Sequence, residues 1–184
     1  MYFDRQGKQN TEQVLEIVKE EASERGIEHV VVASTRGDTG LKAAQMLSQD
    51  GLKVVVVTHS SGFREPGAQE MSDEARAEIE EAGGKVLTGT MIFHNLGAAI
   101  SSKYGGYSHQ SLAADMLRLF GQGMKVTVEC AAMAADAGLV PCEDVIAVAG
   151  TGWGADTAIV VRAMPSKQFF DIKVREILCK PRDW

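Results

Sequence analysis

Apolar residues recur along the first third of the chain in two alternating rhythms. Val14, Val18 and Ala22 stand at i, i+4 and i+8 beside Leu15, the stripe of an amphipathic helix. Asn10 precedes it as a candidate cap, with Gln13 at the capping-box position, and Gly26 follows as a stop. The rhythm then changes to His29-Val30-Val31-Val32-Ala33. This β-branched run without polar alternation predicts a strand buried on both faces of a parallel sheet. The unit repeats. Leu41, Ala44 and Leu47 predict a second helix ending near Gly51, and Val54 to Val57 a second buried strand. Ser72 caps a third helix carrying Ala75, Ile79 and Ala82, stopped by Gly83-Gly84, and Lys85-Val86-Leu87 reads as a shorter third strand.

The middle of the chain breaks this alternation. From about Phe93 to Gly138 the pattern is mostly helical, with one stripe at Leu112, Met116 and Leu119 and another at Val126, Cys130, Met133 and Ala137. The same stretch holds the glycine-rich Tyr104-Gly105-Gly106-Tyr107. Strand pattern returns at Val145 to Ala149 and at Ala158 to Ala163. After the turn at Pro165-Ser166, Phe170, Ile172 and Val174 alternate with Asp171 and Lys173, which predicts a half-exposed antiparallel edge strand. The expectation is a single α/β domain over residues 1–184, with helices on both faces of a mostly parallel, mixed sheet and right-handed crossovers. In a sheet ordered 3-2-1-4-5, strands one and four are neighbours whose connections diverge. The ligand crevice then opens at their carboxyl ends.

Composition narrows the classes of partner. With 45% hydrophobic and 24% charged residues in 184, the chain can bury one core. Its apolar runs are too short to span a bilayer, and Met1-Tyr2-Phe3-Asp4-Arg5 lacks the basic start of a secretory signal. A cytoplasmic protein without a membrane partner is therefore expected. The net charge of −6 argues against a nucleic-acid surface but leaves a small anion open, because a few backbone N–H groups can hold a phosphate. Cys130, Cys142 and Cys179 are odd in number and lack metal-ligand spacing, so reduced thiols and no metal are expected.

Two loops carry the candidate chemistry. Ser34-Thr35-Arg36-Gly37-Asp38-Thr39-Gly40 runs from the first strand into a helix, so hydroxyls and N–H groups converge where the helix dipole favours negative charge. Arg36 can add a charge-assisted contact, and Gly37 and Gly40 allow a close wrap around an anion. A plain turn with Asp38 or Thr39 as the cap is the simpler alternative. The second loop, Gly150-Thr151-Gly152-Trp153-Gly154-Ala155-Asp156-Thr157, follows the fourth strand. Its alternative is a tight turn joining neighbouring strands. Thr58-His59-Ser60-Ser61-Gly62-Phe63 belongs at the same sheet edge. Trp153 could cover a planar ring or merely fill space. No P-loop, dinucleotide fingerprint, nucleophile elbow or zinc-protease motif occurs, and the four histidines have no metal-ligand spacing. His59, at a strand's carboxyl end, is the histidine best placed for function.

The residues Ser34 to Thr39 with Leu41-Lys42-Ala43-Ala44 resemble the phosphate-binding loop of the pyruvate kinase C-terminal domain. Val145 to Val161, with Gly150-Thr151-Gly152-Trp153, is similar to that domain's later glycine-rich loop. Closer still is a family of stand-alone microbial proteins with a pyruvate kinase C-terminal domain-like fold. In that family Ala131-Ala132-Met133-Ala134-Ala135-Asp136-Ala137-Gly138 and Gly150-Thr151-Gly152 with Gly154-Ala155-Asp156-Thr157-Ala158 look like signature stretches. The resemblance covers nearly the whole chain and implies a three-layer α/β/α fold of order 3-2-1-4-5. It does not imply pyruvate kinase activity, which needs a (β/α)₈ barrel of roughly 250 residues. It does imply a link to flavin mononucleotide (FMN), and the first loop also resembles the flavodoxin T-x-[TS]-G-x-T turn, with Arg36 as the departure.

The first reading is thus an FMN-binding protein, open to oxidoreductase chemistry. Its phosphate would lie on Ser34, Thr35, Gly37, Thr39 and Gly40, and its ring toward Thr58, His59 and the Gly150–Thr157 loop. The second is a non-catalytic sensor of a nucleotide or sugar phosphate. A third is a hydrolase using Ser34 or Ser60 with His59, for which the sequence offers no further triad member. A homo-oligomer is compatible with each. Gly37 is expected at an exposed loop, where valine would harm binding more than folding. Asp156 is expected to accept backbone N–H groups, those of Gly152 or Gly154 being candidates; contact with a ribityl or sugar hydroxyl is its alternative.

Overall fold

The computed structural model describes residues Met1–Trp184. Seven strands form one mixed sheet: β1 (Tyr2–Phe3), β2 (His29–Ala33), β3 (Lys53–Val57), β4 (Lys85–Leu87), β5 (Asp144–Ala149), β6 (Thr157–Arg162) and β7 (Lys173–Pro181). Six α-helices accompany them: α1 (Thr11–Arg25), α2 (Asp38–Leu47), α3 (Asp73–Glu81), α4 (Asn95–Tyr104), α5 (His109–Arg118) and α6 (Gln122–Asp136). No helix is long and apolar enough to cross a membrane.

Successive strand residues face opposite sides, and the two sides bury separate cores. Val30, Val32, Val54, Val56, Ile146 and Val148 pack with α1, α2 and Ile79 of α3. Val31, Val55, Val57, Val145, Ala147 and Ile159 pack with α6 and with Ala114 of α5. The unbroken valine runs are therefore two apolar faces on one strand, as a covered parallel sheet requires. Gly26 ends α1 in the left-handed region at φ 65°, and the Ser72 hydroxyl accepts the Ala75 N–H to open α3. The hairpin of α4 and α5 is less embedded. It leaves Leu96, Ile100, Tyr104, Leu112 and Met116 exposed.

The sheet order is β1-β7-β6-β5-β2-β3-β4. It differs from the expected 3-2-1-4-5 in being seven strands long. The first five strands read from the sequence follow one another as β4-β3-β2-β5-β6, the expected tail strand lies beside β6 as β7, and the unexpected β1 adds beyond it. β2, β3, β4 and β5 run parallel, whereas β6 is antiparallel to both β5 and β7. The tail strand begins later than its alternation suggested. Residues Ser166–Asp171 form 3₁₀ turns kinked at Gln168, with Phe170 largely exposed, and β7 runs on to Pro181. Register shifts against β6 break its period, so Leu178 and Cys179 are buried in succession. β1 has only two residues, too few to show any period, and adds in parallel beside Lys180 and Pro181.

The expected Asn10 cap does not form. Asn10 already has helical torsions in the 3₁₀ turn Lys8–Asn10, and its amide donates to the Arg5 carbonyl at 2.8 Å. Thr11 has the more consequential hydroxyl, accepting the Ala155 N–H at 2.9 Å and so fastening the start of α1 to the second glycine-rich loop.

Gly123 sets how closely α6 approaches the sheet. A Cβ at this position would overlap the Thr157 side chain, 2.6 Å from its Cβ. Alanine would favour an isolated helix by about 1 kcal/mol, but overpacking against a central strand costs about 1–3 kcal/mol. Gly123→Ala is therefore expected to destabilise, by up to about 2 kcal/mol net in urea unfolding. Equal or greater stability would show that α6 can move away freely.

Candidate functional site

The neighbouring parallel strands β2 and β5 send their connections in different directions. β2 turns into α2, and β5 returns through the hairpin loop 150–156 to β6. A cleft of about 930 Å³ opens above their carboxyl ends. Ser34, Thr35, Arg36 and Thr39 line it from the first loop, and Gly150, Gly152, Trp153 and Gly154 from the second. Thr58 and His59 line it from the end of β3, and α6 adds Lys125 and Glu129. Arg36 joins the two loops, its guanidinium 4.8 Å from the centre of the exposed Trp153 ring.

Five expected site residues do not face this cleft. Gly37 is buried at φ 110°, and a Cβ there would lie 3.0 Å from Ala75 Cβ of α3. It is a packing position, so a valine there would strain the fold itself, contrary to the expectation of an exposed loop. Gly40 is likewise buried against Val56 and Ile79. Thr151 lines a smaller hollow of about 520 Å³ with Gln6, Gly7, Lys8 and Trp153.

Asp156 and Thr157 form the floor beneath the loop. Asp156 is fully buried. Its Oδ2 accepts the N–H groups of Thr151 at 3.0 Å and Gly7 at 3.1 Å, and Oδ1 accepts the Thr157 hydroxyl at 2.8 Å. It organises the loop as expected, but its partners are Thr151 and Gly7 instead of Gly152 and Gly154. With both oxygens engaged and no exposed surface, it has no place for a ligand hydroxyl. The glycines serve the same closure. Gly152 and Gly154 have φ of 86° and 72°, while Gly150 and Gly154 meet backbone too closely for a Cβ. The tight-turn alternative therefore accounts for the glycine content, although the finished turn also walls the cleft.

Thr58 is buried, donating to the His59 carbonyl at 2.8 Å and lying 2.9 Å from the Thr88 hydroxyl. It holds the loop that presents His59. The imidazole is 2.8 Å from Glu70 Oε2 through Nδ1 and 3.4 Å from Thr35 Oγ1 through Nε2. Arg64 Nε holds the other Glu70 oxygen at 2.9 Å, and Phe63 packs on the imidazole with ring centres 4.2 Å apart. Burial pushes the Glu70 carboxyl up. The hydrogen bond and charge of His59, with Arg64, outweigh that and hold it below the ordinary carboxylate value.

On α6, four residues apart, Lys125 and Glu129 make a buried ion pair through Nζ and Oε2. Glu129 Oε1 also accepts the Phe93 N–H at 2.9 Å. Sequence reading missed Glu70, Lys125 and Glu129. The i, i+4 spacing of Lys125 and Glu129 is visible in the helix, but only folding reveals that this pair faces inward. Six lysines and arginines line the cleft (Lys8, Arg36, Lys42, Arg64, Arg118, Lys125) against three carboxylates (Asp38, Glu70, Glu129), giving local positive charge in a chain of net charge −6. Lys42, Arg64, Arg118 and Lys125 have carboxylate partners, whereas Lys8 and Arg36 have none.

No family model matches the chain. Among solved structures it is similar to a crystal structure of O-ureido-L-serine synthase, with 21% identity and a TM-score of 0.34. That match takes in 53% of this chain and 30% of the other. A likeness of this depth bears on neither the activity nor the ligand.

Two outcomes follow from Asp156 and Glu70. Asp156→Ala leaves three donors unpaired and is expected to lower unfolding free energy by about 3 kcal/mol or more, against about 1 kcal/mol for Asp156→Asn. Equal losses in denaturant titrations would refute that role. Glu70 has a folded value below its ordinary 4.5, so its contribution is complete above pH 4.5 and is lost as pH falls through the folded value. The stability gap between wild type and Glu70→Gln is expected to shrink as pH falls below about 4.5. A gap that stays constant into the acid range would show that the shift is absent.

Proposed function

We infer that the cleft binds a small phosphate-bearing ligand, and that FMN is the first candidate. The observation that carries this reading is the concentration of cations in one concave site of an acidic chain. Lys8 and Arg36 have no carboxylate partner there to displace. Clefts lined by one sign of charge focus the field and raise the local concentration of an opposite ion. The Ser34 and Thr39 hydroxyls flank the start of α2, whose first N–H groups have no partner within the helix. Together with Arg36 they can donate to a phosphate, while Lys8 adds charge from the rim. A volume of about 930 Å³ accommodates a nucleotide, and the exposed Trp153 offers a planar face at the mouth.

The donor set therefore fits FMN. A bound flavin would supply redox chemistry, and the protein would supply its position and electrostatics. Ser34, Arg36 and Thr39 would hold the phosphate. The Trp153 face and the His59 edge would border the ring. A sensor of a nucleotide or sugar phosphate would use the same cradle, so ligand preference distinguishes the two.

A ligand bound only by the folded state raises the melting temperature. FMN is expected to raise it more than inorganic phosphate or simple sugar phosphates do. Arg36→Ala is expected to weaken FMN about tenfold, the loss of one charge-assisted hydrogen bond. Stabilisation by sugar phosphates alone would favour the sensor, and no response to any phosphate compound would overturn the reading.

A further inference from the structure

Thr35, His59 and Glu70 stand in a line whose chemistry the phosphate reading leaves unused, since there the His59 edge only borders the ring. Thr35 Oγ1 is 3.4 Å from His59 Nε2, and His59 Nδ1 is 2.8 Å from Glu70 Oε2. An ionised carboxylate only accepts hydrogen bonds, so Nδ1 carries the proton toward Glu70 and Nε2 is left as the acceptor facing the threonine hydroxyl. The carboxylate is itself held by Arg64 Nε at 2.9 Å, and Phe63 covers a face of the imidazole. Gln69 donates to the His59 carbonyl at 3.1 Å and fixes the backbone on which the imidazole stands. The hydroxyl thus comes from the β2–α2 loop, and the base and base-orienting carboxylate from two ends of the β3–α3 connection, with the hydroxyl lining the cleft. This is the relation of nucleophile, general base and orienting group found in acyl-transfer enzymes. A separation of 3.4 Å is long, as such bonds often are before substrate binds.

We propose that Thr35 is an acyl-accepting nucleophile activated by His59, with Glu70 as the positioning residue, and that the cleft hydrolyses an ester or thioester whose remainder carries a phosphate. The proposal rests on the phosphate reading for the anchoring of that remainder and on the Thr35–His59–Glu70 geometry for the chemistry. In the first half-reaction the Thr35 Oγ–H proton passes to His59 Nε2 as Oγ bonds to the acyl carbon. The tetrahedral centre then collapses, and the C–O or C–S bond to the leaving group breaks. The leaving group takes the proton from Nε2. In the second half-reaction water gives a proton to Nε2 and its oxygen to the acyl carbon. The Thr35 oxygen leaves with that proton, releasing the carboxylic acid. The N–H groups that open α2 follow Thr35 in the chain, have no partner within the helix, and are the donors the proposal assigns to the developing oxyanion.

The probe is p-nitrophenyl acetate, a neutral activated ester that does not need the phosphate anchor. Wild-type protein is expected to release nitrophenolate in a burst and to carry one acetyl group, mapped to Thr35 by peptide mass spectrometry. Thr35→Ser keeps the hydroxyl and is expected to retain the burst, whereas Thr35→Ala abolishes it. His59→Ala and Glu70→Gln are expected to slow acylation about 100-fold, the ordinary contribution of a general base and its support. Glu70→Gln also removes the downfield Nδ1–H proton resonance of an imidazole–carboxylate pair, with the fold retained by circular dichroism. FMN or inorganic phosphate added in excess is expected to alter acylation by occupying the neighbouring cradle. Acetyl groups only on lysine, histidine or Cys142, or a burst that survives Thr35→Ala, would overturn the proposal. Acylation of Thr35 without any phosphate binding would remove the anchored substrate class while leaving the nucleophile. Phosphate binding without acylation of Thr35 would remove the nucleophile while leaving the phosphate reading.

Discussion

The site depends on the burial of β2. Its backbone groups pair with β3 on one side and β5 on the other, and its side chains are covered by α1 and α2 above and α6 below. A strand enclosed in this way meets water only at its ends. The strand also lies where one neighbour connects onward through a helix and the other through a hairpin, so no single crossover roofs its carboxyl end. The cleft is the gap those two routes leave, and Ser34 and Thr35 enter it because they are the first residues beyond the strand.

Around that gap, carboxylates buried wholly or in part are held in small closed sets. Asp156 collects two N–H groups and a hydroxyl, and Glu129 collects Lys125 and the Phe93 N–H. Glu70 collects His59 and Arg64. A charge removed from water is tolerable when its hydrogen-bonding capacity is met, and strongly unfavourable when a partner is missing. These sets therefore limit how far the loops can rearrange. They also make the carboxylates near the cleft poor competitors for its cations, since Glu70 and Glu129 are already committed. Arg36 lies over an aromatic ring and has no carboxylate partner, which leaves its charge directed toward solvent and any anion there.

Much of the frame was legible because local pattern and tertiary burial agree over β2 to β6 and α1 to α3. The uninterrupted valines of β2 and β3 are buried on both faces, and Ser72 caps α3 as its position suggests. Local signals failed where tertiary contacts decide. β1 is too short for a period, β7 loses its alternation at register shifts, and Asn10 has a helical backbone that denies it a cap. At the site, the first loop, His59 and Trp153 were legible from their place after strands. Glu70 was not, because it lies eleven residues beyond His59 on a loop whose return only the fold determines. Glycine misled in a particular way. At 37, 40 and 154 it answers to neighbouring protein atoms, a demand that looks the same in sequence as close approach to an anion.

The bond from Gly7 to Asp156 ties the second loop to the segment that follows β1, and β1 is held by β7. The floor of the cleft therefore closes only when residues 2–7 and 173–181 have met, across nearly the whole sequence. Contacts of such separation carry a large loop-closure cost, which slows folding. During synthesis, β2, β3 and their helices can emerge and collapse while the loop that walls the cleft still lacks its last backbone donor. A ribosome-bound chain ending before Lys173 has no strand to receive β1. Assembly of the cleft is thus coupled to completion of the sheet.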